Sequence, residues 1–490
     1  MGGGGFGVQT GHLTRNDREP YPETTERENP QQNQVAYDHL LGPAPRAADV
    51  DDCLERANAQ YMNKGSQFMR DGRGYSCQYA QIYFQRLMMQ KRVLRERAAV
   101  RWPGVPVVNI LELKGGEDCC VIGTIFKDMK LKPSIMNEYS SDPVTAPAVA
   151  GAKLTDPSDT VVMEDEGARM TLSSTDGSHD DLYGIVTGVI AAVRGKDNDG
   201  VFEVEEVLFP GMAPQAPLPQ RDDDMYVAIL SGLGMGKERG EAEAPLQLQL
   251  ASDYLVGMLG SRRDQEAAAR VARVVVAGGL LGDSRSLGIL GSRAAPRSKS
   301  PGIGPVKDMD LWLTQLAAGV PVDVMPGAAD PATASLPQQP MHRCLLPGSA
   351  AFPTVTRATN PHAFEVGGVS FLGSSGQTVE DIYRFTPCED RVDIMAATLR
   401  WRHLSPTSPD TLPTFPFSDR DPFVIQETPH CYFAGNQPEF ATRVVTGEDG
   451  QQVRLVCVPR FCETGEVVLV NLRNLECRCL HFDSRLMRDD

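Results

Sequence analysis

The chain has 490 residues, of which 41% are hydrophobic, and eleven cysteines. That length allows two or three domains with a large core, and no apolar run approaches the ~18 residues of a bilayer span, so no membrane crossing is expected. A formal net charge of −16 opposes a broad nucleic-acid footprint, which needs clustered Lys and Arg.

The opening MGGGGFGVQTGHLTRND has neither the basic nor the apolar region of an export signal, so reduced thiols are expected. Phe6 stands where a myristoylation motif wants Ser or Thr. Residues 1–60 are rich in Gly, Pro, Asn, Gln and charge and read as a disordered tail. Residues 61–104 read as a helical lead-in. Within it Tyr79, Ile82, Tyr83, Leu87 and Leu94 recur at helical spacing between Gln78 and Val100. Arg86, Lys91, Arg92, Arg95 and Arg97 are expected to form a solvated face, with an acidic partner or a nucleic-acid backbone as the lesser reading. Trp102-Pro103-Gly104 ends the helix.

From 105 to 222 the period shortens. Cys119–Phe126, Thr160–Met163, Arg169–Leu172, Tyr183–Val193 and Val201–Phe209 are β-rich, and Gly115-Gly116, Asp176-Gly177 and Asp197–Gly200 supply turns. About five short strands in about 100 residues predict a small OB-fold barrel. Such barrels bind single strands through exposed aromatics and cations. Here both are sparse and the loops are acidic (Glu164, Asp165, Glu166, Asp180, Asp181), which favours packing. Asn137–Pro157 reads as a flexible insertion and Pro210–Asp224 as a linker.

Residues 223–490 read as an α/β domain. The runs Met225–Leu230, Arg273–Ala277 and Val320–Met325 each end in a glycine-bearing turn, the pattern of buried strands. Leu246–Leu259, Arg262–Arg273 and the set Met309, Trp312, Leu313, Leu316 read as helices. Ser284–Lys307 reads as a mobile basic loop. Val366–Gly373, His430–Phe433, Val453–Val458 and Gly465–Leu472 read as further strands, the last two as a hairpin. In α/β sheets chemistry sits in loops after strand C-termini. Here those loops carry Gly, Leu, Met and Ala.

No catalytic, cofactor-binding or metal-binding residue is assigned. Gly232-x-Gly234 invites a dinucleotide reading, but the third glycine would fall at Lys237, and Asp253 lies in a helix instead of ending a strand. Gly373-Ser374-Ser375-Gly376 is one residue short of a nucleophile elbow. His342, His362, His403 and His430 are scattered. Cys477-x-Cys479 with Cys457-x4-Cys462 lacks paired zinc arms, and Cys119 and Cys120 would face opposite sides of a strand. Phe415-Pro416-Phe417 and Tyr432-Phe433 are candidate contact residues, with core packing the favoured reading.

The order of strand–glycine turn, strand–GGLLGD, strand–MPGAAD and a strand ending Gly435-Asn436-Gln437-Pro438 resembles the calcineurin-like metallophosphoesterases. Their active members place carboxylates and imidazoles for two metals in those loops. This chain has Ser231-Gly232-Leu233, Gly279, Gly282, Ala328, Ala329, Asn436 and Pro438 there and retains only Asp330. An OB barrel before a dead phosphoesterase domain is the pattern of the B subunits of replicative DNA polymerases. The segments 76–83, 119–127, 321–327, Leu336–Pro340, Phe371–Gln377 and His403–Leu412 resemble the second, small regulatory subunits of DNA polymerase delta, over about residues 75–483. The resemblance implies a nuclear, non-catalytic scaffold without cofactors. Its partners would be the cysteine-rich C-terminal domain of the delta catalytic subunit and a third, clamp-binding subunit, with DNA touched only indirectly or weakly. The readings from other classes are a metal-dependent phosphodiesterase or nuclease and a single-strand-binding OB protein.

Overall fold

The computed structural model describes residues 34–36, 54–70, 74–75, 77–132, 153–174, 180–236, 243–282 and 303–483. The chain opens with two short edge strands, β1 (Gln34–Ala36) and β2 (Tyr61–Asn63). They join different sheets, and β1 runs parallel to the last strand of the chain. Arg56 donates to the carbonyls of Leu255, Ala268 and Val271 at 2.8–3.0 Å. The expectation of a disordered 1–60 is therefore corrected at 34–36 and 54–60, while the rest of that stretch lies outside the described residues. Strand pairing and one arginine hold segments whose composition alone is too polar to build a core.

Helix α1 (Ala80–Arg101) follows, as the spacing predicts. Leu87, Leu94, Ala98 and Trp102 pack it onto the barrel residues Cys120, Ile122, Ile190 and Ala192. The barrel is built from β3 (Val107–Val108), β4 (Cys119–Asp128), β5 (Thr160–Glu164), β6 (Arg169–Ser174), the one-turn helix α2 (Asp180–Tyr183), β7 (Ile190–Asn198) and β8 (Val201–Leu208). The order is β3-β4-β5-β6-β8-β7, and β7 pairs back with β4 to close five strands, with β6 and β8 parallel. Alternation along β4 puts Cys119, Val121 and Ile125 inside and Cys120 and Ile122 under α1. The expected strand Tyr183–Val193 is instead the end of α2, a turn with Gly188 at φ +90°, and the start of β7. The Pro406 carbonyl packs so close to Gly188 that a side chain there would collide with it.

Residues 210–224 carry no regular structure but are not a free linker. Ala213 is fully buried, Gln215 donates to the carbonyls of Pro429 (3.0 Å) and Gln452 (2.7 Å), and Thr428 N donates to the Pro214 carbonyl. This strap lies along the α/β body. Of the expected insertion 137–157, residues 133–152 fall outside the description. Lys153 and Leu154, however, bond carbonyls of Thr386, Cys388 and Arg384.

The body contains β9 (Tyr226–Leu230), α3 (Glu243–Val256), α4 (Arg262–Ala269), β10 (Val271–Ala277), α5 (Gly304–Gly319), β11 (Val322–Met325) and β12 (Val355–Arg357). It continues with β13 (His362–Val366), β14 (Val369–Ser374), α6 (Gln377–Phe385), α7 (Arg391–Arg400), β15 (Cys431–Gln437) and β16 (Ala441–Thr446), and ends with β17 (Gln452–Pro459), α8 (Phe461–Thr464), β18 (Glu466–Asn471) and β19 (Cys477–His481). Two sheets result, β1-β19-β18-β9-β10-β11-β12 and β16-β17-β15-β14-β13-β2. Their inner faces share one core, with Val227, Ile229, Val275 and Met325 from the first meeting Phe364, Phe371, Phe433 and Val456 from the second. Helices α3 to α5 cover the outer face of the first sheet. Helices α6 and α7 share a core with the second sheet and the barrel.

The expected hairpin of 453–458 with 465–472 is not formed. β17 and β18 lie in different sheets, joined through α8. Period-two patterning fixes which residues face inward and says nothing about which sheet a strand joins. The basic loop 284–307 lies largely outside the described residues, and Lys307 is already in α5.

Candidate functional site

The C-terminal ends of β9, β10, β11, β14 and β15 converge where a doubly layered α/β fold would place chemistry. The carboxylate of Asp330 fills the centre and is buried. Its Oδ2 accepts from the backbone amides of Gly327 (2.7 Å), Gly279 (2.9 Å) and Leu280 (3.2 Å), and its Oδ1 from Leu281 (2.9 Å). It thus ties the turn after β11 to the turn after β10. Burial raises its pKa, and the four amide donors pull it down.

The opposite wall is Asn436, at φ +55°, whose Nδ2 donates to the carbonyls of Ser375 (2.8 Å) and Ala277 (3.3 Å). Its backbone N donates to Ser231 Oγ (2.8 Å), and that hydroxyl donates to the Pro459 carbonyl (3.0 Å). Between these walls the backbone closes up. A Cβ at Gly278 would lie 2.6 Å from Ser375 Cβ and 2.8 Å from Gly327 Cα. One at Gly279 would strike Asn436 Oδ1 and lie 2.9 Å from Gly232 Cα. Both glycines have positive φ, +75° and +70°. No side chain fits where these turns meet.

Beside this point lies a buried amide cluster. Asn360 Nδ2 lies 2.8 Å from each of Gln338 Oε1, Ser375 Oγ and Gln377 Oε1, its two protons shared among these three acceptors, and its Oδ1 accepts from Ser375 N (2.9 Å). Gln377 donates to Gln338 Oε1 (2.9 Å), and Gln338 Nε2 donates to the carbonyls of Gly327 and Thr333 at 3.0 Å. The segments Leu336–Pro340 and Phe371–Gln377 therefore meet here. All the groups are neutral and mutually satisfied, which gives rigidity and no reactive centre.

The remaining singled-out residues are separate. Buried His362 faces Asp323 (3.4 Å), buried His430 bonds Ser370 (2.8 Å) and the Ala216 carbonyl (2.9 Å), and exposed His342 caps Cys344 N. Cys457 touches Met395 Sδ at 3.7 Å, and burial pushes its thiol up to about 12, while Cys477 and Cys479 lie between the sheets. Asp253 is in α3. Among the described residues no group of three or more His, Cys, Asp or Glu is arranged to hold a metal ion. Phe415, Phe417, Tyr432 and Phe433 are buried, which rules out their role as exposed contacts.

The strongest electrostatic feature lies where α1, the barrel and the body meet. Arg86, expected on a solvated face, is fully buried, as is Asp421. Arg86 Nε donates to Asp421 Oδ2 at 2.7 Å, and its other nitrogens donate to the carbonyls of Pro406 (2.7 Å), Ser408 (2.7 Å) and Gly188 (3.3 Å). His403 Nε2 lies 2.9 Å from Asp421 Oδ2, and Ser405 N donates to its Nδ1 at 3.1 Å. Nδ1 is therefore the acceptor and Nε2–H the donor, a neutral imidazole. Burial, with the Arg86 charge beside it, pushes His403 down to about 4. Burial alone would raise Asp421, but the Arg86 charge and the bonds from both partners hold it far below the usual carboxylate range. Thr407 (2.5 Å) and Thr411 (2.6 Å) donate to buried Asp381 in α6. Lys91 is also inside, paired with Glu166 at 2.6 Å. The segment His403–Leu412 thus receives an arginine from the lead-in helix and locks barrel to body.

Residues 78–207 match the family described as DNA polymerase delta subunit OB-fold domain, and residues 227–442 match that described as the DNA polymerase alpha/epsilon B subunit. Over 433 residues the chain is 42% identical to a DNA polymerase delta small subunit of Oryza sativa subsp. japonica, covering 88% of this chain and 99% of the relative. The chain belongs to the DNA polymerase delta small-subunit family. A delta small subunit of Arabidopsis thaliana is 43% identical over 89% of this chain and 99% of its own. DNA polymerase delta subunit 2 of Drosophila melanogaster is 36% identical over 87% and 98%. The first family segment spans α1 and the barrel and the second spans the turns around Asp330, so the seam at Arg86 joins the two. Asp421, Asp381 and Asn360 escaped the reading of the sequence, and Arg86 was placed on a solvated face. The Ser/Thr/Pro-rich run 403–412 was the available signal for the seam.

Proposed function

We propose that the chain is a non-catalytic accessory subunit of the nuclear DNA polymerase delta complex. Its body is read as a calcineurin-like phosphoesterase shell that has lost its metal site. It would bridge the cysteine-rich C-terminal domain of the catalytic subunit and a third, clamp-binding subunit, touching DNA only indirectly. The working division is a tail to 60, a lead-in 61–104, the barrel 105–222 and the body 223–490. The observation that carries this reading is the Asp330 carboxylate bonded to four amides where glycines 278 and 279 leave no side-chain space. A buried carboxylate held by four backbone N–H groups is turned toward the turns and away from a shared metal position, and one carboxylate is too few for two metals.

The test is co-expression with the delta catalytic subunit and purification through a tag on that subunit. A stoichiometric complex is expected, and a chain that stays free overturns the reading. In parallel, the purified chain is expected to show no Mn²⁺-dependent phosphodiester hydrolysis. Steady turnover abolished by Asp330→Ala would favour the enzymatic reading instead.

A further inference from the structure

α1 buries one face on the barrel, yet its other face is not that of a solvated helix. Among the described residues the aromatic side chains that are strongly exposed are Tyr75, Tyr79 and Phe84, at 60%, 45% and 50%, and Met88 adds another 47%-exposed apolar side chain. All four fall within fourteen residues, at the start of α1 and just before it. At 100° per residue Phe84, Met88 and Arg95 lie within about 40° of one line along the helix, with Arg92 beside them. α1 carries six cations against one acid, Glu96, in a chain of net charge −16. Arg86, Lys91, Arg97 and Arg101 pair with Asp421, Glu166, Glu448 and Glu206, which leaves Arg92 and Arg95 for the exposed face. Arg92 meets only the equally exposed Glu96 at 3.6 Å, a pair worth little in solvent. The free face therefore reads aromatic, Met, then Arg, the composition of interface cores.

We propose that this face of α1 docks an acidic amphipathic segment of another polypeptide of the polymerase complex. Its apolar side would cover Phe84 and Met88, and its carboxylates would meet Arg92 and Arg95. The inference rests on the accessory-subunit reading and adds the surface and the chemistry of the partner. A single nucleic-acid strand stacked on Phe84 is the competing occupant, and the cross-linking test below separates it from a polypeptide.

The experiment uses the full chain in a complex reconstituted from defined delta subunits, with p-benzoylphenylalanine at position 84. Photolysis is expected to link position 84 to an acid-rich stretch of one subunit, identified by mass spectrometry. Phe84→Ser with Met88→Ser is expected to weaken that subunit's binding on the order of 10-fold or more, without changing the melting temperature of the free chain. Arg92→Glu with Arg95→Glu is expected to slow association and flatten its salt dependence. Complex formation with no cross-link and no effect of either pair overturns this inference and leaves the accessory function standing. So does cross-linking to an added oligonucleotide alone. Failure of the wild-type chain to enter the complex overturns the function itself.

Discussion

At Arg86 the balance between desolvation and pairing is decisive. An arginine and a carboxylate out of water are tolerated because Asp421 accepts from Arg86 and His403 while three carbonyls take three of the four other guanidinium protons. Replacing one partner leaves the other buried and uncompensated, which costs about 3–5 kcal/mol. Asp421→Asn is therefore expected to lower the urea midpoint strongly, and Arg86→Met with Asp421→Leu to recover most of the loss. The same triad sets a pH dependence. The unfolded chain titrates its histidines near 6.5, whereas folded His403 is held neutral down to about 4. Between those values the unfolded chain binds the proton and the folded one does not, so stability present above about 6.5 is lost as pH falls toward about 4. Asp421, with its folded pKa depressed, adds a further loss below the ordinary carboxylate range. Melting temperatures from pH 7 to pH 4 check this, and His403→Gln is expected to flatten the upper part of the slope. Asp330 acts differently, as a staple between two turns. Asp330→Ala strands four buried amides and is expected to cost upwards of about 2 kcal/mol, measured by denaturant unfolding.

Among the elements, those with a strong period were legible and those defined by tertiary partners were not. The 3.6-residue spacing located α1 to within two residues, and the apolar runs located β9, β10 and β11. The same reading assigned Arg86 and Lys91 to solvent, because a charge on a helix is usually outside. Only the acids of a distant loop and of residue 421 bring them in. Gly188 broke the expected strand 183–193 because the Pro406 carbonyl packs against it, a contact from more than 200 residues away. At the strand ends the sequence showed turns of Gly, Leu, Met and Ala but not that the space between them had closed. That closure makes a prediction. Gly279→Asp puts a side chain at φ +70° into Asn436. It is expected to destabilise the fold by about 1–3 kcal/mol and to confer no Mn²⁺ binding by calorimetry. Retention of full stability together with a new bound metal would mean the turns can still open into a site.

For the whole molecule, the question is whether barrel and body are two bodies on a linker or one. The composition of 210–224 suggested a hinge, but that strap is bonded to Pro429 and Gln452, and one apolar cluster runs without a break from barrel residues Val121 and Phe202 through Ile382 and Met395 to Tyr432 and Leu455. With α1 spanning the seam and Arg86 locking it, opening one unit would expose core of the other. The chain is therefore expected to unfold in a single calorimetric transition, although its length alone would suggest two. Asp421→Asn should then shift that whole transition by several degrees. A transition that splits in two in the wild type, with only one part responding to the substitution, would instead mean independent bodies. For an accessory subunit of a polymerase complex, that rigidity is the useful property, since any two surfaces of the chain keep a fixed spacing only if the seam does not yield.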